Sequence, residues 1–203
     1  ALARRGLAVT VVELQPQVLP PFDPDMARFV QQQLEAAGIR VILGDGLKAF
    51  HGAPRATEVE LQSGRRLPKD LAILSIGVRP ELQLAKDAGL RIGEAGGIAV
   101  NDRQQTSDPD IYAAGDAAEV VHLVTGRVAR IPLAGPANKQ GRVAGTNAAG
   151  GSLTFAGALG TAIVETMGIV AAKTGLSERE AQRAGLDAYT SLTHSPDHAS
   201  YYP

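Results

Sequence analysis

The sequence contains no cysteine among its 203 residues. Disulfide scaffolds, thiolate zinc sites and thiol nucleophiles are therefore excluded within these residues. The four histidines show no metal-ligand spacing with nearby acidic residues, and no serine lies in a nucleophile-elbow motif. The sequence thus predicts neither a metal site nor a hydrolase, and any redox chemistry must come from a bound cofactor or from residues elsewhere.

An excess of either charge is also missing, since 20 Lys and Arg residues stand against 21 Asp and Glu residues. Neither nucleic acid nor a membrane surface is therefore a predicted partner. No apolar stretch is long enough to span a bilayer, and the predicted location is cytoplasmic. A hydrophobic content of 44% is sufficient for one large domain or two small ones.

The first part of the chain predicts a βαβ unit. Residues 7–13 form a nearly continuous apolar run rich in β-branched residues, which is typical of a strand buried on both faces. Asp23 and Pro24 indicate the start of a helix that ends at Gly38. Because a second strand begins at Ile39, the sheet is expected to be parallel with a right-handed crossover.

The rest of the chain predicts mixed elements. Residues 57–61 and 66–67 flank Ser63-Gly64-Arg65 and predict an antiparallel hairpin within a β-meander. After the linker Gly150-Gly151-Ser152, a capping box at Ser177 and Glu180 predicts a helix in an α+β block. The other predicted elements are strands at 70–76, 98–100, 111–113, 162–166, 169–173 and 188–193, a turn at 125–126, and helices at 81–88 and 135–149.

Residues 106–116 end a short apolar strand with a small-residue turn and one carboxylate. Ala113, Ala114 and Gly115 have almost no side-chain bulk, so a ligand can approach the backbone closely. Asp116 is then placed to accept hydrogen bonds from sugar-like hydroxyl groups. Taken alone, this motif leaves a cofactor contact and an ordinary capped turn equally open.

Several motifs in their order along the chain resemble those of the flavin-dependent pyridine nucleotide-disulfide oxidoreductases. The later motifs are similar to the branch that contains CoA-disulfide reductases, NADH oxidases, NADH peroxidases and NADH-dependent polysulfide reductases. The resemblance covers nearly the whole chain. The matching segments are 7–13, Ser75-Ile76-Gly77-Val78-Arg79-Pro80, 112–116, Leu133-Ala134, Lys139-Gln140-Gly141-Arg142, Thr174-Gly175-Leu176 and His198-Ala199-Ser200-Tyr201-Tyr202-Pro203.

The resemblance implies an α/β fold of partial Rossmann-like units. Residues 1–79 would be the C-terminal part of an NAD(H)-binding domain, 80–150 a second FAD-binding segment, and 151–203 the beginning of a dimerisation domain. A homodimer is therefore expected. Family members also carry a G-x-G-x-x-G turn and a redox-active cysteine before the region matched here. Because neither occurs in the sequence, we expect a truncated chain that begins within a helix at residues 1–6.

The family's NADH-binding positions fall on three residues of the first unit. Glu13 would accept hydrogen bonds from the adenosine ribose and so favour NADH over NADPH, unless it is a solvated strand-end residue. Phe22 would flank the adenine or else act as a hydrophobic staple. Gly77 would let the backbone pass beside the nicotinamide, or it is a plain turn glycine.

The family's flavin-binding positions lie later in the chain. Asp116 would bind the ribitol hydroxyl groups of FAD, and Leu133, Ala134 and Gly135 would present their backbone to the flavin ring. The helix that follows would direct its positive end at the ring, which stabilises the negative charge of a reduced flavin.

Substrate contacts are implied at Asn138 and at the end of the chain. His198, Tyr201 and Tyr202 resemble a segment that reaches the partner subunit's active site, where a tyrosine hydroxyl can donate a proton to a departing thiolate. The alternative is that these aromatic residues simply pack a dimer interface.

The resemblance implies transfer of a hydride from NADH to FAD and then to a cysteine-based disulfide or sulfenate. The substrate would be a small disulfide or sulfur compound such as CoA disulfide or polysulfide, and the cysteine would lie outside this chain. An NADH oxidase or NADH peroxidase is the alternative within the family. The alternative of another class is an inactive nucleotide-binding or dimerisation fragment.

Overall fold

The computed structural model describes residues 1–195. The predictions for His198, Tyr201 and Tyr202 concern residues outside this described part. Four helices and nine strands are arranged as a mixed α/β fold within it, with one parallel and three antiparallel sheets. None of the helices in residues 1–195 is long and apolar enough to cross a membrane.

Besides the four α-helices, a short 3₁₀ helix (Ala3–Arg5) begins the chain, and the next three elements form the expected βαβ unit. Its first strand begins at Thr10 and not at residue 7, and its residues are exposed or half-buried, so the prediction of a strand buried on both faces is wrong. Strand β1 (Thr10–Glu13) pairs in parallel with β2 (Arg40–Leu43), and helix α1 (Pro24–Ala36) connects them. Proline is well tolerated in the first turn of a helix, because a backbone N–H at that position would have no acceptor within the helix. Gly38 follows the helix at a φ of 77°, a left-handed conformation that glycine adopts without steric cost.

An antiparallel meander follows, formed by β3 (Leu47–His51), β4 (Glu58–Leu61) and β5 (Arg66–Pro68). The meander prediction is confirmed, although β3 was not among the predicted strands. The sheet shares a core with the βαβ unit, since buried Ile42 of β2 contacts the meander. The members of this core are Ile42, Leu61, Leu67, Val12 and Val59.

The predicted buried strand at residues 70–76 does not form. Residues 71–80 form neither helix nor strand, and the side chains of Leu71, Ile73 and Ile76 are 66%, 69% and 82% exposed. A strand requires a hydrogen-bonding neighbour, and within residues 1–195 no segment pairs with this one. The prediction of a buried strand is therefore wrong for this segment, because apolar composition alone does not supply a pairing partner.

The middle of the chain contains little regular structure. Its elements are helix α2 (Gln83–Asp87), the short strands β6 (Val120–Val121) and β7 (Val128–Ala129), and helix α3 (Ala134–Ala148). The hairpin predicted to turn at 125–126 is thus confirmed. The strands predicted at 98–100 and 111–113 are reduced to isolated bridges, which pair Ile98 with Ala118 and Gln105 with Tyr112.

The last elements are the antiparallel strands β8 (Ala162–Thr166) and β9 (Ile169–Lys173) and helix α4 (Glu178–Ala184). Both halves of the predicted Ser177–Glu180 capping box are present. The strand predicted at 188–193 does not form, and Tyr189 is 95% exposed. Its β-branched and aromatic residues match strand propensity, but no described strand pairs with them.

Candidate functional site

Glu13 lies at the carboxyl end of the parallel strand β1. Its side chain is half-buried, and Oε1 accepts a hydrogen bond of 2.8 Å from the backbone N–H of Gln15. Open α/β sheets bind ligands outside the carboxyl ends of their parallel strands. The contact with Gln15 therefore holds a carboxylate at the edge where a ligand hydroxyl can reach it.

The loop of residues 16–23 leads from β1 to α1 and carries Phe22. The carbonyl oxygen of Phe22 accepts hydrogen bonds of 2.8 Å from Gln17 Nε2 and of 2.8 Å from the Arg179 guanidinium. Leu19 adopts a φ of 48°, which is uncommon for a residue with a side chain. Residues far apart in the sequence thus determine the course of this loop.

Asp23 does not cap its own helix, contrary to the sequence expectation. Its carboxylate instead accepts hydrogen bonds from the backbone N–H groups of Glu178 at 2.9 Å and Arg179 at 3.4 Å. These donors lie in the first turn of α4, where N–H groups have no intrahelical partner. Asp23 therefore joins the βαβ unit to the last helix.

Gly77 adopts a φ of 96° in the unpaired segment after residue 70. A Cβ atom added there would meet no atom within 4 Å. The backbone conformation therefore favours glycine, whereas the surrounding space does not demand it. This observation is compatible with both the nicotinamide contact and the plain turn.

The turn before Asp116 packs against helix α3. The N–H of Gly115 donates to Oε1 of Gln140 at 3.2 Å, and a Cβ atom added to Gly115 would lie 3.9 Å from Cβ of Ala137. Gln140 is buried, and its Nε2 donates to the carbonyl of Glu119 at 3.4 Å. Asp116 itself is exposed. The structure thus brings the turn that carries Asp116 to the helix that begins at Ala134.

The N-terminus of α3 has backbone donors that no side chain caps. Leu133 occupies the N-cap position and makes no side-chain capping hydrogen bond. Pro136 has no N–H, so Ala134 and Gly135 carry the leading N–H groups of this helix end. Of the three residues from the sequence prediction, Leu133 is the N-cap, and Ala134 and Gly135 form a small-residue first turn whose N–H groups can donate to a ligand.

Sequence reasoning missed the role of two buried polar residues near this turn. Gln140 lies inside the Lys139–Arg142 motif, which was the only signal available for it. The carboxylate of Glu119 accepts hydrogen bonds from the N–H groups of Ala95 at 2.7 Å and Gly97 at 3.3 Å. These contacts connect the Asp116 turn to the 93–97 turn.

A cleft of about 470 Å³ opens beside α3. It includes two residues identified from the sequence, Gly135 and Asn138, and the side chain of Asn138 donates to the Ala134 carbonyl at 2.9 Å. Two cationic residues on its wall would attract an anionic ligand. Its lining residues are Gly135, Asn138, Lys139, Arg142, Val143, Thr154 and Phe155.

The candidate cofactor residues are not all brought into one contact network. Among residues 1–195, no hydrogen bond or salt bridge connects Glu13 or Gly77 with Asp116. Glu13 belongs to the βαβ unit, whereas Asp116 belongs to the turn beside α3. The candidate residues thus lie at two separate places in the described structure.

The parallel βαβ unit, the meander and the turn beside α3 define a Rossmann-like oxidoreductase fold of the class that binds dinucleotides. A family model described as pyridine nucleotide-disulphide oxidoreductase matches residues 1–141. The chain belongs to this family.

Three proteins illustrate the similarity. The NAD(P)H sulfur oxidoreductase (CoA-dependent) of Pyrococcus furiosus is 38% identical over 100% of this chain and 46% of its own length. The NADH oxidase of Methanocaldococcus jannaschii is 40% identical over 98% of this chain and 44% of its own length. The structure of an FAD-dependent pyridine nucleotide-disulphide oxidoreductase from Desulfovibrio vulgaris has a TM-score of 0.85 and 40% identity, covering 91% of this chain and 47% of that one. The chain spans about half the length of the curated relatives it matches.

Replacing Gly115 by alanine should destabilise the protein by about 1–2 kcal/mol, because its φ of 86° is costly for a residue with a Cβ atom. The matched control is Gly141→Ala on exposed helical backbone of α3, where a Cβ atom would meet nothing within 4 Å. That control should stabilise the protein by about 0.5–1 kcal/mol. Urea unfolding measures both values, and equal effects of the two substitutions would contradict the described turn.

Proposed function

We propose that the protein is an FAD-containing, NADH-dependent oxidoreductase that reduces a small disulfide or sulfur compound. The observation that carries this proposal is the Gly115–Asp116 turn held against α3 by Gln140. The turn carries the Asp116 carboxylate and packs against helix α3 near its N-terminus. The chain belongs to the pyridine nucleotide-disulphide oxidoreductase family. Similar proteins include an NAD(P)H sulfur oxidoreductase and an FAD-dependent oxidoreductase.

Glu13 is our proposed acceptor for the adenosine ribose hydroxyl groups. Its carboxylate is already oriented by the N–H of Gln15 at 2.8 Å. A carboxylate at this position repels a 2′-phosphate, so we expect NADH to be preferred over NADPH. Phe22 would lie beside the adenine, and Gly77 would leave its backbone free of a side chain beside the nicotinamide.

Asp116 and the start of α3 are our proposed flavin-binding residues. The residues present fit the group, because the N–H groups of Ala134 and Gly135 have no side-chain cap and Asp116 is exposed. When bound there, FAD would supply the hydride-accepting chemistry that no side chain of this sequence can provide. Asp116 would hold the ribitol through its hydroxyl groups, and the positive end of α3 would favour negative charge at the ring.

Each part of the chain has its own proposed role. We propose that residues 1–79 contribute to NADH binding, 80–150 to FAD binding and 151–203 to dimerisation. Asn138 lies in the cleft beside α3 and would contact the substrate. His198, Tyr201 and Tyr202 would act at the active site of the partner subunit in a homodimer, where a tyrosine hydroxyl can protonate a departing thiolate.

Two electron acceptors are supported by the similarity to known proteins. The sequence holds no cysteine, so a thiol relay requires a cysteine outside these 203 residues. The similarity to a CoA-dependent sulfur oxidoreductase supports CoA disulfide or polysulfide as acceptor. The similarity to an NADH oxidase supports oxygen reduction as the second candidate.

Replacing Asp116 by alanine should weaken FAD binding roughly 10- to 100-fold, because hydrogen bonds to a charged acceptor are lost. The measurement is a fluorescence titration of apoprotein with FAD, using protein expressed from the complete reading frame. Asp110→Ala is the matched control, since Asp110 is an exposed carboxylate on the same segment. Equal FAD affinity in both variants would refute the assignment of Asp116.

The acceptor can be identified by measuring NADH consumption with CoA disulfide, polysulfide, oxygen and hydrogen peroxide in parallel. We expect turnover to be fastest with CoA disulfide or polysulfide. Faster turnover with oxygen or peroxide would instead support the oxidase or peroxidase alternative. A protein that binds no flavin and consumes no NADH would support the nonenzymatic nucleotide-binding or dimerisation module.

A further inference from the structure

The loop of residues 16–23 cannot be held by its own backbone donors alone. Pro16, Pro20 and Pro21 have no N–H group, so they cannot donate hydrogen bonds. Within the loop, Gln17 Nε2 donates to the carbonyl oxygens of Leu19 and Phe22. Further donors to the loop come from side chains elsewhere in the chain.

Those donors come from the last helix and the strand before it. The Nη2 atom of Arg179 donates to the carbonyl oxygens of Pro20 at 2.9 Å and Phe22 at 2.8 Å. Nζ of Lys173 donates to the intervening carbonyl of Pro21 at 3.1 Å. Three consecutive carbonyl groups of the loop thus face two cationic side chains, and charge-assisted hydrogen bonds are stronger than neutral ones.

A second contact joins the backbone of α4 to the side chain of Asp23 in the loop. The carboxylate of Asp23 accepts hydrogen bonds from the N–H groups of Glu178 and Arg179. Arg179 therefore contacts the loop through both its backbone and its side chain. Helix α4 thus contacts the loop at Pro20 and Phe22 through a side chain, and at Asp23 through backbone N–H groups.

One of the two cationic side chains, that of Lys173, is itself oriented. Lys173 forms a salt bridge of 2.6 Å with Glu180. Partial burial disfavours the ionised carboxylate of Glu180, but the hydrogen bonds from Lys173 and the Ser177 N–H outweigh it and hold its pKa below the usual value. Glu180 is thus ionised above its ordinary pKa of 4.5 and remains able to orient Lys173 at neutral pH.

The loop is held in a conformation that it would not adopt freely. Leu19 has a φ of 48°, and such residues persist where the surrounding contacts over-determine the backbone. A cavity of about 140 Å³ lies between the loop and α4, and Arg179 is among its lining residues.

We propose that Arg179 is a positioning residue for the adenosine half of NADH. It holds the carbonyl groups of Pro20 and Phe22 and thereby fixes the loop that follows Glu13. This inference rests on the proposed function, because it assumes that Glu13 and Phe22 face NADH. Its consequence is that a residue of the last described helix sets the affinity for a cofactor bound at the first strand.

The test measures steady-state kinetics of Arg179→Ala in the flavin-containing enzyme expressed from its complete reading frame. KM for NADH should rise about tenfold with kcat and flavin content unchanged, because loosening the loop weakens binding without altering the hydride transfer. Reduced nicotinamide mononucleotide lacks the adenosine half, so kcat/KM for it should be unchanged. A general loss of structure would instead reduce both activities.

Two further variants complete the experiment. Arg179→Lys keeps one charged donor and should give an intermediate KM for NADH, and it remains informative if the alanine variant does not fold. Arg183→Ala removes a cation from an exposed position on the same helix and should leave KM near the wild-type value. An unchanged KM for both Arg179 variants, or an equal loss with the mononucleotide, would overturn the inference.

Glu13→Gln separates failure of this inference from failure of the proposed function. If Glu13→Gln raises KM for NADH and Arg179→Ala does not, the positioning role alone is wrong. If the wild-type enzyme does not consume NADH, or Glu13→Gln has no effect on KM, the assumed NADH site is wrong and the inference is overturned with it.

Discussion

One buried side-chain amide, that of Gln140, holds the turn that carries Asp116 against helix α3. Gln140 accepts from the N–H of Gly115 and donates to the carbonyl of Glu119, so it ties one turn to helix α3 at two points. Strands β6 and β7 have only two residues each and cannot provide many ladder hydrogen bonds. Removing a partner from a buried polar group costs about 1–3 kcal/mol.

Other polar side chains support the same region in the same way. The carboxylate of Glu119 holds the N–H groups of Ala95 and Gly97. The amide of Asn147 is buried and bonds to the backbone of Arg103 and Leu153. Irregular backbone is thus stabilised by specific side chains, and the proposed flavin contact at Asp116 depends on their arrangement.

The sequence predicted those elements whose signals are local. The apolar run before Glu13, the proline at the start of α1 and the glycine after it led to the βαβ unit. The Ser177–Glu180 capping box predicted the start of α4 for the same reason. Each signal acts within a few residues, so no knowledge of distant contacts was needed.

Elements that depend on distant partners could not be predicted in this way. Residues 70–76 and 188–193 have strand composition, yet nothing among the described residues pairs with them. Asp23 has the residue type of a helix cap, but it caps α4 because the tertiary fold brings that helix to it. The donor role of Arg179 likewise has no local signal, since its acceptors lie more than 150 residues earlier.

In the candidate site, too, the sequence predicted local features but not contacts between distant residues. The small-residue turn and Asp116 were identified from the sequence, and the structure brings that turn to α3. Their roles toward FAD, and that of Glu13 toward NADH, stay predictions. Gln140, which holds the turn in place, stood out in the sequence only as part of the Lys139–Arg142 motif. Its role depends on contacts with residues that are distant in the sequence.

The most direct test of the account is an anaerobic titration of the purified protein with NADH. The central claim is that one protein binds both nucleotides and passes a hydride from NADH to flavin. The account predicts that the protein carries FAD and that NADH, added beyond the equivalents consumed by any bound cysteine disulfide, abolishes the absorbance band of the oxidised flavin. A protein whose bound flavin stays oxidised with excess NADH, or that binds no flavin, would contradict it.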